Sequence, residues 1–246
     1  MAAGLLLLSV SIAKADINQG LVAWYQLNGN ASDASGYGNN GTVYGATSAA
    51  NRFGNPGNAM GFDGYNDYVQ VANNASLNIT NAITVSAWIN RDVTGVRHDV
   101  VCKTTTSGSY DGYHLIVGAQ NEVQFALDID GVWNGCEGGA IDAGNWHQLT
   151  GTFDGTQIAL YIDGILWATE RDPGTIGVNN QNLYIGRAVP GFETGYFFDG
   201  SIDDVRIYNR ALSSGEVQQL YNIPEPATIA LFCLGIAALR NRRKNS

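Results

Sequence analysis

Charge is the scarcest ingredient of this chain. Asp, Glu, Lys and Arg make up 14 % of its 246 residues, against about 25 % in an ordinary globular domain. Positive charge is scarcer still. With the two ends set aside, eight cations face twenty-one acids between residues 16 and 223, a net charge of −13 there. So acidic a body excludes nucleic acid and anionic lipid as its partners and leaves cations and neutral glycans. Helical periodicity is nearly missing: only LSSGEVQQLY (212–221) shows it, behind a capping Ser213. No proline-rich linker or composition break divides the middle, so a single domain from about Gly20 to Tyr221 is expected. No full-length spanning segment is present near the end either. The apolar run from Ala227 to Leu239 holds thirteen residues, where a spanning helix needs about 20.

What the chain does have is glycine, 31 residues of it, with 10 % aromatics and 45 % hydrophobic residues, enough for a sizeable core. Strand-like runs recur between turn signals: LVAWYQL (21–27), DYVQV (67–71), ITVSAWIN (83–90), YHLIV (113–117), VQFALDI (123–129), WHQLTGTF (146–153), IALYID (158–163) and IDDVRIY (202–208). Several alternate apolar with polar residues, the pattern of an antiparallel sheet with one packed face. Asp154-Gly155 and Asp163-Gly164 each stand between two such runs, the type I′ pair of a tight hairpin. Many antiparallel strands and so little helix predict an all-β, two-sheet sandwich.

Both ends carry addresses. At the amino terminus, Leu5 to Ile12 followed by Ala13-Lys14-Ala15 is similar to a secretory leader, residues 1–15, that would release Asp16. Export permits a disulfide, and Cys102 with Cys136 is the candidate pair; the alternative is two separate buried thiols. Cys233 lies inside the apolar tail.

Catalysis finds little support. A glycosidase of the usual kind needs two carboxylates roughly 5–10 Å apart. Asp128 and Asp130 are the only acids two apart in a plausible strand, and that strand is ending in a turn. His98, His114 and His147 lack any spacing to Ser, Cys or each other that makes a triad or a zinc site. A non-enzymatic protein is expected, with aromatic residues in loops as contacts for sugar rings or a protein partner. Trp133, flanked by glycines in DGVWNGCEGG, is the first candidate for a ligand contact, with Tyr110 and Tyr196 beside it. Trp88 and Trp146 read as core, and Arg206 as a strand residue paired with a neighbouring carboxylate.

Six segments in order, LVAWYQLNGNASDASGYGNNGTVYGAT (21–47), RFGNPGNAMGFDGYNDYVQV (52–71), ITVSAWIN (83–90), NWHQLTGTFDGTQIALYIDGILWAT (145–169), LYIGR (183–187) and FFDGSIDDVRIYNRALSSGEVQQLY (197–221), together resemble the laminin G-like, concanavalin A-like jelly-roll domains of exported bacterial proteins. The resemblance covers nearly all of 20–221 and implies the jelly-roll sandwich for residues 16–222. It also implies a structural Ca²⁺ in the loop Asn28 to Thr42, held by Asp33, the carbonyl of Gly36, Asn39 and Asp203, with Asp204 as the alternative to Asp203. Tyr37 stands where the family usually has Asn. The other reading of this loop is an Asn/Gly turn satisfied by its own hydrogen bonds.

The last stretch, residues 223–246, is similar to a PEP-CTERM sorting signal. Pro224-Glu225-Pro226, a short apolar segment and the cluster Arg240, Arg242, Arg243, Lys244 follow in that order. Such a segment is too short for permanent anchoring and suits transient insertion in the inner membrane, the basic residues holding the end in the cytoplasm. The resemblance implies an exosortase-type processing enzyme as partner, a producer of exopolysaccharide as host, and a protein that ends at the cell surface, in the outer envelope or in a biofilm matrix. A carbohydrate-binding or adhesive module is the expected function, and a structural surface protein without a small ligand is the alternative.

Overall fold

The computed structural model describes residues 16–106, 111–191 and 196–224. The leader, Tyr110, Glu225, Pro226 and the apolar run with its basic tail lie outside them. Two antiparallel sheets pack face to face. One sheet runs, in spatial order, β13 (Ile165–Arg171), β12 (Gln157–Ile162), β11 (Trp146–Phe153), β6 (Ile83–Arg91), β15 (Asp199–Tyr208), β4 (Pro56–Asp63) and β3 (Thr47–Ala50), with β1 (Leu21–Tyr25) also paired to β15. The other runs β10 (Val132–Ala140), β9 (Glu122–Ile129), β8 (Gly112–Val117), β7 (His98–Thr104), β14 (Leu183–Ile185), β5 (Tyr68–Val71) and β2 (Gly41–Tyr44). We call these the eight-stranded and the seven-stranded sheet. Among the described residues no helix is long and apolar enough to cross a membrane.

Period-two alternation decides which residues meet in the middle. In β9, Val123, Phe125, Leu127 and Ile129 point inward; in β6, Ile83, Val85, Ala87 and Ile89 do. Their core is continuous with Leu149 and Phe153 of β11 and with Val205 and Ile207 of β15. A second, smaller cluster lies on the far side of the eight-stranded sheet. There α1 (Ser214–Tyr221) lays Val217 and Leu220 against Leu21, Tyr161, Tyr208 and Leu212. The helix begins with a full capping box: Ser213 Oγ accepts from the Glu216 N–H, and the Glu216 carboxylate accepts from the Ser213 N–H.

The hairpins differ from expectation in one case. Asp163 and Gly164 have φ of 53° and 76°, the left-handed pair of a type I′ turn between β12 and β13. Asp130 and Gly131, at 51° and 84°, make the same turn between β9 and β10. Asp154 is not left-handed. Its Oδ1 instead accepts from the N–H groups of Thr156 and Gln157, so the β11–β12 connection is a side-chain-closed loop of three residues.

Candidate binding face

The outer side of the seven-stranded sheet carries an aromatic group built across three strands. Tyr44 on β2 stacks on Tyr68 of β5, ring centroids 4.6 Å apart, and Tyr68 leans on Tyr184 of β14 at 6.1 Å. The Arg187 guanidinium lies 4.8 Å over both Tyr68 and Phe197 and 5.5 Å over Tyr184. These cation–π contacts tie the rings of two strands and Phe197 to one guanidinium.

Phe197 is shared with an open cleft of about 770 Å³, which Arg97, Gln124, Glu122, Tyr196 and Asp199 help to line. Arg97 spans 4.3 Å to the Tyr196 ring and 2.8 Å to the Asp99 carboxylate, and so is fixed from both sides. Tyr196 has φ of 43°, a left-handed backbone that a bulky residue seldom adopts. His98 is also on this wall; burial, with Arg91 nearby, pushes it down to about 4, so its ring is neutral.

Trp133 is not among the residues that line this cleft. It belongs to strand β10, not to a loop, half-buried opposite Asp128 and 6.4 Å from the His114 ring. Under it, β7 and β8 bring Asp99, Cys102 and His114 together, a grouping that the spacing in the chain does not reveal. His114 Nε2 is 2.8 Å from Asp99 Oδ2. Burial opposes the imidazolium, but Asp99 and then Cys102 outweigh it and hold His114 up at about 10.

The disulfide is corrected. Cys102 and Cys136 are both free and buried. β8 and β9 run between their strands, which at about 4.8 Å per strand separates them by roughly 14 Å, twice what a disulfide spans. They also face opposite ways, Cys136 into the core and Cys102 outward with Tyr184 and Val189.

The acids two apart on β9 do not form a pair either. Asp130 sits in the hairpin turn, where its carboxylate accepts from the N–H and Oγ1 of Thr175. Asp128 is paired with Asp111 instead; burial first, then the hydrogen bond to Asp111, pushes it up to about 6.

In the expected cation loop, Asp33 and Asn39 do come together. Asp33 Oδ1 accepts from the N–H groups of Trp24 (3.0 Å) and Ser35 (2.8 Å), and Oδ2 from Ser35 Oγ and the Asn39 N–H, both 2.9 Å. Asn39 donates to the Val22 carbonyl, and its own carbonyl accepts from Tyr25. Gly36 provides a left-handed bend in the same loop, at φ 93°. Asp203 stays away: its Oδ2 is 2.6 Å from Arg52 Nη1. A hard cation wants six to eight oxygens. Here the loop's own donors fill Asp33, and an arginine neutralises Asp203, so the residues present do not fit Ca²⁺. The arrangement is that of a turn closed by its own hydrogen bonds.

Asp204 is no better placed for that loop. Neighbours on a strand normally face opposite sides, but β15 bulges between Asp203 and Arg206, and Asp204 takes φ of 50°. Both acids therefore reach the same guanidinium, Arg52 Nη2 being 3.9 Å from Asp204. Arg206 Nε, 3.0 Å from Asp204 Oδ1, and the Trp24 indole N–H complete the group. The expected pairing of Arg206 with a neighbouring carboxylate is thus present.

A family model described as the concanavalin A-like lectin/glucanases superfamily matches residues 63–218, and one described as the PEP-CTERM protein-sorting motif matches residues 222–244. No curated protein matches the chain. Among solved structures it is similar to the binding domain of Paraclostridial Mosquitocidal Protein 1, with a TM-score of 0.69 and 19 % identity over 84 % of this chain and 53 % of that one. It is similar as well to the binding domain of botulinum neurotoxin DC in complex with SialylT (TM-score 0.63, 16 % identity, 84 % and 52 % covered). The same neurotoxin domain in complex with rat synaptotagmin II gives a TM-score of 0.63 at 17 % identity, with 84 % and 52 % covered. The chain thus spans about half the length of these domains, and at such identities the likeness is one of fold.

Proposed function

Because the chain belongs to the concanavalin A-like lectin/glucanases superfamily and carries a sorting signal for export to the cell surface, we propose that it is a non-catalytic recognition module that binds a glycan through the outer face of its seven-stranded sheet. The observation that carries this reading is the open cleft of about 770 Å³ flanked by Tyr196, Phe197 and Arg97. Its polar lining of Gln124, Glu122 and Asp199 supplies the donors and acceptors that sugar hydroxyls need, and the rings supply the apolar platform. The neutrality of a glycan also suits a body with so marked an excess of acids. The fold neighbours are binding domains, one in complex with SialylT, which supports recognition over turnover.

Sorting follows from the tail. An exosortase-type enzyme cuts near Pro224-Glu225-Pro226 after transient insertion in the inner membrane, and the sandwich is delivered to the outer envelope or an exopolysaccharide matrix. The test is a glycan array probed with processed protein recovered from the envelope. Binding to at least one glycan without its hydrolysis is expected. Uniform silence, or turnover of a bound polysaccharide, overturns the reading.

A second reading, an adhesive or structural surface protein without a small ligand, rests on a different observation. Edge strand β13 exposes Ile165, Leu166 and Trp167 in succession, at 62 %, 51 % and 55 %. An apolar edge of this kind suits a protein partner. Silence on the array together with pull-down of an envelope protein that Trp167→Glu abolishes would favour it.

A further inference from the structure

The Asp99, Cys102 and His114 cluster is produced by an irregularity in β7. Residues three apart on a strand normally face opposite sides. Here the register of β7 on β8 shifts between Asp99 and Val101, so Val100 and Val101 both enter the core. The extra residue brings Asp99 and Cys102 out on the same face. His114 stands directly opposite Cys102 across the ladder. Bulges of this kind re-aim side chains, and this one gathers a carboxylate, a thiol and an imidazole.

From this geometry we propose that Asp99, Cys102 and His114 bind a divalent transition-metal ion of the zinc class. One ligand atom from each residue lies within 4.8 Å of the other two, and all three residues are buried. Bonds of about 2.0–2.3 Å to a tetrahedral zinc hold ligand atoms roughly 3.3–3.8 Å apart, so small side-chain rotations are enough to seat the ion.

Three further observations point the same way. His114 Nε2 already lies 2.8 Å from Asp99 Oδ2, so the imidazole and the carboxylate face one point in a buried place. Arg97 holds the Asp99 carboxylate from one side, Nε 2.8 Å from Oδ1 and Nη2 3.4 Å from Oδ2, which orients it as an outer partner does at metal centres. The Trp133 ring meets the imidazole edge to face, 6.4 Å between centroids. The thiol decides the class of ion: sulfur with imidazole and carboxylate suits zinc, cobalt or iron and disfavours calcium and magnesium. The site is independent of the glycan reading. It pins β7 to β8 and protects the Cys102 thiol.

The full-length protein, stripped of metal and kept reduced, is titrated with Co²⁺ both in its native state and during refolding. We expect one Co²⁺ per chain, with a thiolate-to-cobalt charge-transfer band that Zn²⁺ bleaches. Cys102→Ser should abolish that band and Cys136→Ser should leave it. His114→Gln should weaken Co²⁺ affinity by more than the about 10–100-fold that loss of an outer partner costs. A wild-type protein with no thiolate band under either condition, or a band that survives Cys102→Ser in a folded variant, overturns the proposal.

Discussion

The outer faces of the two sheets handle charge in opposite ways. On the eight-stranded sheet, Arg52, Asp203, Asp204 and Arg206 are all mostly buried and mutually paired, and Trp24 and Trp88 are sandwiched against the two guanidinium groups at 4.3 and 4.6 Å. Helix α1 then covers the adjoining strands, with Tyr221 stacked on Trp88 at 5.4 Å. On the seven-stranded sheet and the loops at its end, Arg97, Arg187 and Glu122 stand around an open cleft or between rings. Paired and covered charges seal a surface; reachable ones among aromatics offer it to a ligand. Stability belongs to the sealed face, and the proposed recognition falls to the open one.

The largest effect should come from the sealed face. Asp204→Asn keeps a residue that tolerates the left-handed backbone but removes the charge that Arg206 and Arg52 share. Arg52 keeps Asp203, but leaving the buried Arg206 without its carboxylate costs about 3–5 kcal/mol, so urea unfolding should show a loss of this order with glycan binding intact. Truncating the cover, Leu220→Ala, should cost about 2–5 kcal/mol by the same assay, again without touching binding. On the open face the pattern reverses. Tyr196→Ala should lower glycan affinity roughly tenfold, about 1.4 kcal/mol, while thermal unfolding stays where it was.

The smallest effect concerns pH. His147 bridges Asp163 (2.8 Å) and Asp142 (2.9 Å), and the hydrogen bond to Asp163, against partial burial and with help from Asp142, raises its pKa above the ordinary value. A raised folded pKa means stability that is complete below the unfolded value of about 6.5 and is lost as pH rises through the folded one. Because Asp142 is largely exposed, solvent keeps this below about 1 kcal/mol. Melting temperatures across neutral pH should decline gently in the wild type, and His147→Gln should flatten that decline.

Much of the fold was legible because its strands obey alternation; β11 runs over the same residues, Trp146–Phe153, that the apolar pattern marks. β10 was not, since VWNGCEGGA has no apolar alternation. It is a strand because Gly135 leaves β9 room: a Cβ there would lie 2.6 Å from the Phe125 carbonyl oxygen. The site was less legible. Tyr196 was readable as an aromatic in a loop, but the cleft needs Arg97 from the loop before β7 and Gln124 from β9. Asp99, Cys102 and His114 escaped because a bulge and a cross-strand register join them, and neither leaves a mark in residue spacing. Asp203 and Asp204 misled for the same reason, a bulge turning both neighbours to one side.

The most direct test of the open-face claim is hydrogen–deuterium exchange of the processed protein, with and without the glycan selected on the array. Protection is predicted on the segments that wall the cleft, around Arg97–His98, Ile116–Gln124 and Tyr196–Asp199. Protection confined to α1 or to the exposed edge at Ile165–Trp167, with those segments unchanged, would contradict it.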